Sequence, residues 1–185
     1  MGSTRGARLA RWSVGAVLAA SFFSAHAATA EESAFGGAIA DGVSTAIGLA
    51  VGAAEMNPLG PVVAIGVKVA VMQYARTLPD TERPALHAAA ASLWQGAAVN
   101  NVCVAASILS GGSFTPVCIA AGFAWGLKTW KDTEQEREFW VGCAMLRQYA
   151  ATPDMPCVYT APGTQLATAR GHDVIVQVLE LVRSA

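Results

Sequence analysis

The feature that most constrains this chain is a stretch without any Asp, Glu, Lys or Arg, which runs from residue 88 to residue 127. A helix that crosses a bilayer needs roughly 20 apolar residues, so about forty uncharged residues are enough for two crossings. Ser110-Gly111-Gly112-Ser113 lies near the middle of the stretch and is typical of a turn. We therefore expect a helical hairpin here, surrounded by lipid.

An export signal precedes this region. The N-terminus has a basic segment with three arginines, followed by an apolar core over 12–23 that is too short for an ordinary membrane span. Two small-residue tripeptides suited to cleavage follow: Ala25-His26-Ala27 and Ala28-Thr29-Ala30. We expect a cleavable signal peptide over 1–30, with an uncleaved signal anchor as the alternative.

The composition fits an exported helical protein. Hydrophobic residues make up 54% of the chain and charged residues only 14%, against a usual charged fraction of about 25%. The net charge of −1 and the absence of a basic stripe exclude nucleic acid as an expected partner. Much of the apolar content is Ala and Gly, which favours close helix packing but gives weak insertion energies. A soluble Ala-rich bundle is therefore a competing interpretation.

Turn and capping residues divide the mature chain into helices. We expect helices over 35–54, 59–75, 80–109, 115–130 and 133–150, and a short one near 173. Asp80 is the expected N-cap of the third helix, and Thr133 to Glu136 the expected capping box of the fifth. The predicted fold is all-α: two consecutive helical hairpins (about four transmembrane helices) over 31–130, and a short amphipathic helical tail over 131–185.

Polar residues interrupt the first hairpin. A lysine at mid-helix costs roughly 2.5 to 3.5 kcal/mol on the insertion scale, so the helix with Lys68 should insert only together with its neighbour. Counted from the hairpin turn, Thr45 matches Lys68 in depth, whereas Asp41 lies about 24 Å out and Lys68 about 16 Å, a gap that the lysine stem closes mostly but not fully. We predict an intramembrane polar cluster of Asp41, Thr45 and Lys68. The alternative is that Lys68 reaches the membrane surface while Asp41 caps its helix.

The same hairpin carries a resemblance. Its pattern is Asp41-x-x-x-Thr45, then Gly52-x-x-Glu55-x-Asn57-Pro58, then Lys68 in the next apolar helix. It resembles an uncharacterised bacterial membrane-protein family with a helical hairpin and a Gly-x-x-Glu-x-Asn-Pro corner, over about residues 36–74. The resemblance implies a membrane hairpin with Glu55, Asn57 and Pro58 at its corner, and it implies no activity. The export signal, the alanine content and the cysteine-bearing tail depart from that family.

Two adjacent asparagines, Asn100 and Asn101, fall in the middle of the third helix. They could line a pathway for a polar solute, but a membrane asparagine more often hydrogen-bonds to a neighbouring helix. We favour the interhelical role.

Four cysteines remain after signal cleavage. In the tail, Cys143 and Cys157 are expected to form a disulfide on the exterior side. Whether Cys103 and Cys118 pair is left open, because a spanning topology would put the turn between them in the cytoplasm; in a soluble periplasmic domain both bridges would form. No C-x-x-C pair occurs, and His87 and His172 are isolated, so neither a metal nor another cofactor is expected.

No sequence motif of an enzyme is present. We therefore expect a non-enzymatic, exported integral membrane protein with a structural or accessory role in the bacterial envelope. It would sit in the inner membrane with a periplasmic tail, and its partners would be the lipid bilayer and further copies of itself or an envelope protein. One alternative is a small oligomeric channel or holin-like pore. Another is a soluble, disulfide-containing helical binding protein of the periplasm.

Overall fold

Every regular element in the described part of the chain is an α-helix. The computed structural model describes residues 29–53, 60–112, 114–149 and 156–161. The helices are α1 (Ala30–Ala50), α2 (Gly60–Thr77), α3 (Arg83–Ser110), α4 (Thr115–Asp132) and α5 (Glu134–Tyr149). The predicted all-α class is confirmed. Three of the predicted features lie outside the described residues. They are most of the signal peptide, the last expected helix, and the corner residues Glu55, Asn57 and Pro58.

Local sequence explains where the helices begin and end. α1 starts at a capping box in which Thr29 and Glu32 each accept a bond from the other's backbone N–H, five residues before the expected start. α3 has a proline in its first turn, where the missing N–H costs nothing. It ends at Gly111, whose φ of 72° is the left-handed conformation that glycine adopts without strain.

α3 is the central helix of the bundle. It packs along most of α1 on one side and along α4 on the other, whereas α2 and α5 touch their neighbours over much shorter lengths. The apolar centre consists of Ala34, Ala90, Ala91 and Trp94, with Val71 and Met72 packed against it. Apart from Trp94 and Pro84, the buried apolar side chains among the described residues are no larger than cysteine. Small side chains therefore fill the interior.

Glycines set the contact between α3 and α4. A Cβ built on Gly122 would lie 2.6 Å from the carbonyl oxygen of Gly96, and a Cβ built on Gly126 would lie 2.8 Å from that of Ser92. Both distances are shorter than any real contact of this kind, so only glycine permits this backbone approach. Packing through small residues spaced four apart is typical of closely crossed helices.

Large apolar side chains lie mostly on the outside. Val62 is 80% exposed, Leu93 70% and Phe123 69%, and many other Val, Ile, Leu and aromatic side chains on α1 to α5 are also exposed. We call this surface the apolar exterior. It reverses the usual arrangement of a water-soluble bundle, in which the large apolar residues fill the core.

None of the helices within 29–53, 60–112 and 114–149 has both the length and the apolar character that a membrane crossing requires. The predicted four transmembrane helices are therefore unsupported. The physical reason is that alanine and glycine contribute little hydrophobicity, and polar side chains such as Lys68, Gln95 and Asn101 lower the hydrophobicity of their helices further.

The helix α5 folds back onto the end of the bundle where α1 and α3 begin. Glu136 of α5 accepts a hydrogen bond from the backbone of Ala30 at 2.6 Å, and Arg147 pairs with Asp80 at 2.9 Å. The predicted N-cap at Asp80 is wrong: the cap position is Glu82, without a side-chain bond. Thr133 was expected to open a capping box of α5, but its hydroxyl donates to the backbone oxygens of Thr129 and Trp130 in α4.

Candidate functional site

The most polar site in the described interior is an ion pair between α1 and α2. Lys68 Nζ lies 2.7 Å from Asp41 Oδ2, and the two side chains are only 11% and 15% exposed. Lys68 Nζ also lies 3.5 Å from the backbone oxygen of Ala38, one turn earlier on α1. α2 is thus held to α1 by a mostly desolvated lysine.

Asn101 brings α3 into the same site. Its Nδ2 donates to Asp41 Oδ1 at 3.0 Å and to Thr45 Oγ1 at 3.0 Å, with Ser44 Oγ at 3.4 Å. Asp41, Ser44, Thr45, Lys68 and Asn101 form what we call the polar cluster. It joins three helices through side chains that the sequence places far apart.

The structure brings the three predicted cluster residues together with one difference. Lys68 contacts Asp41 directly, although the depth argument left a gap between the two, and Thr45 joins the cluster through Asn101 rather than through Lys68. The depth argument assumed straight antiparallel helices measured from a common turn. Asn101 hydrogen-bonds to side chains of α1, which is a contact of the interhelical kind predicted for it.

Asn100 behaves differently from its neighbour. It lies against α4, where a Cβ on Gly122 would come within 3.0 Å of Asn100 Cβ. Its side-chain oxygen Oδ1 is buried and has no hydrogen-bond partner in the described part of the chain. The two asparagines therefore face different helices, and they do not form one polar path.

In chemical terms the cluster cross-links helices. Both carboxylate oxygens of Asp41 are bonded, one to Lys68 of α2 and one to Asn101 of α3, so this carboxylate links both helices to α1. No three His, Cys, Asp or Glu residues converge to hold a metal ion within the described ranges.

A second polar network was not found by sequence reasoning. Gln95 of α3 donates to the backbone oxygen of Ser33 at 3.2 Å and accepts from the indole N–H of Trp125 and the hydroxyl of Thr129. Gln95 links α1, α3 and α4 through contacts separate from the polar cluster, at a position on α3 that precedes Asn101. The sequence feature that could have indicated this network is a single glutamine in an uncharged stretch, because a buried glutamine needs hydrogen-bond partners.

Two disulfides lie at different ends of the bundle. Cys103 of α3 is bonded to Cys118 of α4, with their Cα atoms 5.3 Å apart. The expected bridge between Cys143 and Cys157 is present, with a Cα separation of 6.3 Å. Cys103 lies twenty residues along α3 from Arg83, about 30 Å at 1.5 Å per residue, whereas α5 contacts the end where α3 begins.

Glu136 is a buried carboxyl at that α5 end, 7% exposed. Burial raises the pKa of Glu136, the hydrogen bond from the Ala30 backbone opposes the rise, and the charges of Glu32 and Glu31 add to it. Burial also raises the pKa of Tyr159, with a further rise from the Glu136 carboxylate. The sequence suggested only a capping role for Glu136.

Comparison with protein-family models, with curated proteins and with solved structures found no match to this chain. The family resemblance of residues 36–74 therefore remains a prediction.

Proposed function

We propose that this protein is exported and works as a non-enzymatic binding or accessory protein of the bacterial envelope. Its helical bundle lies wholly on the oxidising side of the cytoplasmic membrane. The observation that carries this proposal is the position of the two disulfides near opposite ends of α3.

Cys103 lies about 30 Å along α3 from Arg83, and α5, which carries Cys143, contacts the bundle near the Arg83 end. The hydrocarbon core of a bilayer is about as thick, roughly 30 Å. In a bundle that crossed the inner membrane with α5 outside, Cys103 and Cys118 would lie toward the cytoplasm, where thiols are kept reduced. Two oxidised bridges support a location of both ends in one oxidising compartment.

The apolar exterior supports a binding role. A monomeric protein rarely exposes large contiguous apolar patches unless they contact a partner or a membrane. The members of the polar cluster are bonded to one another, which supports a structural role for these residues. The same pairing weighs against the pore hypothesis, which needs Asp41, Lys68 and the asparagines to face a lumen.

Counting free thiols tests the location. The full chain is produced in a bacterium with an intact export pathway, quenched with acid, and treated with a maleimide that adds a visible mass to each thiol. We expect no reactive thiol before reduction and four after it. The control is a chain lacking residues 2–27, which stays in the cytoplasm and should react at all four cysteines. Two reactive thiols in the exported chain would contradict the proposal.

A second candidate function, the membrane-embedded accessory protein, is favoured by a separate observation. Small and polar residues fill the interior while large apolar ones lie outside, which is also how helices pack in lipid. Release by osmotic shock without detergent separates the two candidates. Release supports the proposal above, and retention in carbonate-washed membranes supports the embedded bundle.

A further inference from the structure

The first described residues of the chain have structural roles. Thr29 Oγ1 accepts the backbone N–H of Glu32 at 3.2 Å, and the Glu32 carboxylate accepts the backbone N–H of Thr29 at 2.9 Å. The backbone oxygen of Thr29 also accepts from Ser33 at 2.9 Å. The beginning of α1 is therefore organised by Thr29.

Ala30 is equally committed to the fold. It is completely buried, and its backbone N–H donates to Glu136 Oε2 at 2.6 Å. This bond joins the start of α1 to α5 across 106 positions in the sequence. Removing Ala30 would leave the buried Glu136 carboxylate without its backbone donor.

The two possible cleavage sites differ in what they remove. A cut after Ala30 takes away Thr29 and Ala30, and with them the capping box and the bond to Glu136. A cut after Ala27 keeps every one of these contacts. The sequence pattern alone does not distinguish the sites, because both present small residues at the two required positions.

We infer that the Ala27–Ala28 peptide bond is the processing site of this chain, because the mature protein then keeps Thr29 and Ala30 and their contacts at the start of α1. The inference rests on the export proposed above. The co-reactant is water, and the catalyst is an export-pathway endopeptidase that cuts after small residues. Hydrolysis leaves a carboxylate on Ala27 in the released peptide and an ammonium group on Ala28 in the mature protein.

Determining the N-terminus of the exported protein tests the inference. The full chain is produced in an export-competent bacterium, and the purified product is analysed by intact mass and N-terminal sequencing. We expect a chain that starts at Ala28. A start at Glu31 would overturn this inference and leave the export proposal standing. A start at Met1 together with four reactive thiols would overturn the export proposal itself.

A variant separates the preference of the peptidase from the requirement of the fold. Ala27→Phe blocks the first site and leaves Ala28-Thr29-Ala30 intact as a substrate. We expect either unprocessed chain or a product starting at Glu31 whose melting temperature is about 2–4 °C below that of the wild type, the size of shift that loss of one cap gives in a chain of this length. A Glu31 product that melts at the wild-type temperature would contradict the structural argument.

Discussion

Lys68 Nζ lies 2.7 Å from Asp41 Oδ2, and this ion pair joins two helices that otherwise touch over a short length. α2 packs only lightly on the rest of the bundle, so a charged pair carries much of its attachment. Because both side chains are mostly removed from water, losing one partner leaves the other charge buried and unpaired. The position of α2 therefore depends on both residues at once.

Replacing either member of the pair should destabilise the protein strongly. We expect Lys68→Met or Asp41→Asn to lower the free energy of unfolding by about 3 kcal/mol, the usual cost of breaking a buried pair. The double variant should lose clearly less than the sum of the two single losses. Urea unfolding followed by circular dichroism gives all three values.

The chain offers a matched control for this experiment. Lys128 and Asp132 form a pair four residues apart on α4, with side chains 59% and 58% exposed. Lys128→Met should cost no more than about 0.5 kcal/mol, because exposed pairs contribute little. Equal losses for Lys68→Met and Lys128→Met, or strictly additive losses at Asp41 and Lys68, would rule out the coupled pair.

The adjacent asparagines should respond differently to the same truncation. Asn101→Ala removes the donor shared by Asp41 and Thr45, and we expect a loss of about 1–3 kcal/mol because polar groups of the cluster lose their partner. Asn100→Ala removes a buried oxygen that has no partner in the described residues, so its effect should be smaller or slightly stabilising. Thermal unfolding of the two variants makes the comparison, and an equal loss at both positions would contradict it.

Glycine substitutions test the close approach of α3 and α4. A Cβ at position 126 would meet the Ser92 carbonyl oxygen at 2.8 Å, so Gly126→Ala should force the helices apart and cost about 1–3 kcal/mol. Gly66→Ala on α2 is the control, because nothing lies within 4 Å of its added Cβ. That variant should be stabilised by roughly 0.5–1 kcal/mol, as alanine favours the helix. Similar stability changes in the two variants would argue against the tight contact.

The helices themselves could be read from the sequence because local chemistry sets their ends. Gly111 and the prolines at 84 and 116 mark boundaries within a few residues of those observed. Asp41, Thr45, Lys68 and Asn101 also stood out, because a polar residue in an apolar helix requires a partner. The sequence did not indicate which partner each would find, since spacing along a helix gives depth but not the rotation of one helix against another.

The long-range contacts could not be predicted. Asp80 looked like a helix cap, but its carboxylate is used by Arg147, 67 residues away. Ala28-Thr29-Ala30 was interpreted only as a cleavage site, although Thr29 and Glu32 have the spacing of a capping box. The membrane prediction relied on the absence of charge, and the helices proved to contain too many small and polar residues to support it.

The Tyr159 phenol provides a pH test of the contact between the 156–161 segment and α5. Its ring lies 5.4 Å from that of Phe139, and burial, followed by the Glu136 carboxylate, raises the pKa of Tyr159 above its ordinary value of 10.0. The unfolded chain therefore loses this proton first, so stability is unaffected well below pH 10 and falls as the pH rises through the folded pKa. In an absorbance titration of the folded protein, Tyr159 should give a phase at a pH above the ordinary tyrosine value of 10.0. Tyr159→Phe should remove this late phase, whereas a late phase that survives in Tyr159→Phe would show that this segment does not pack on α5.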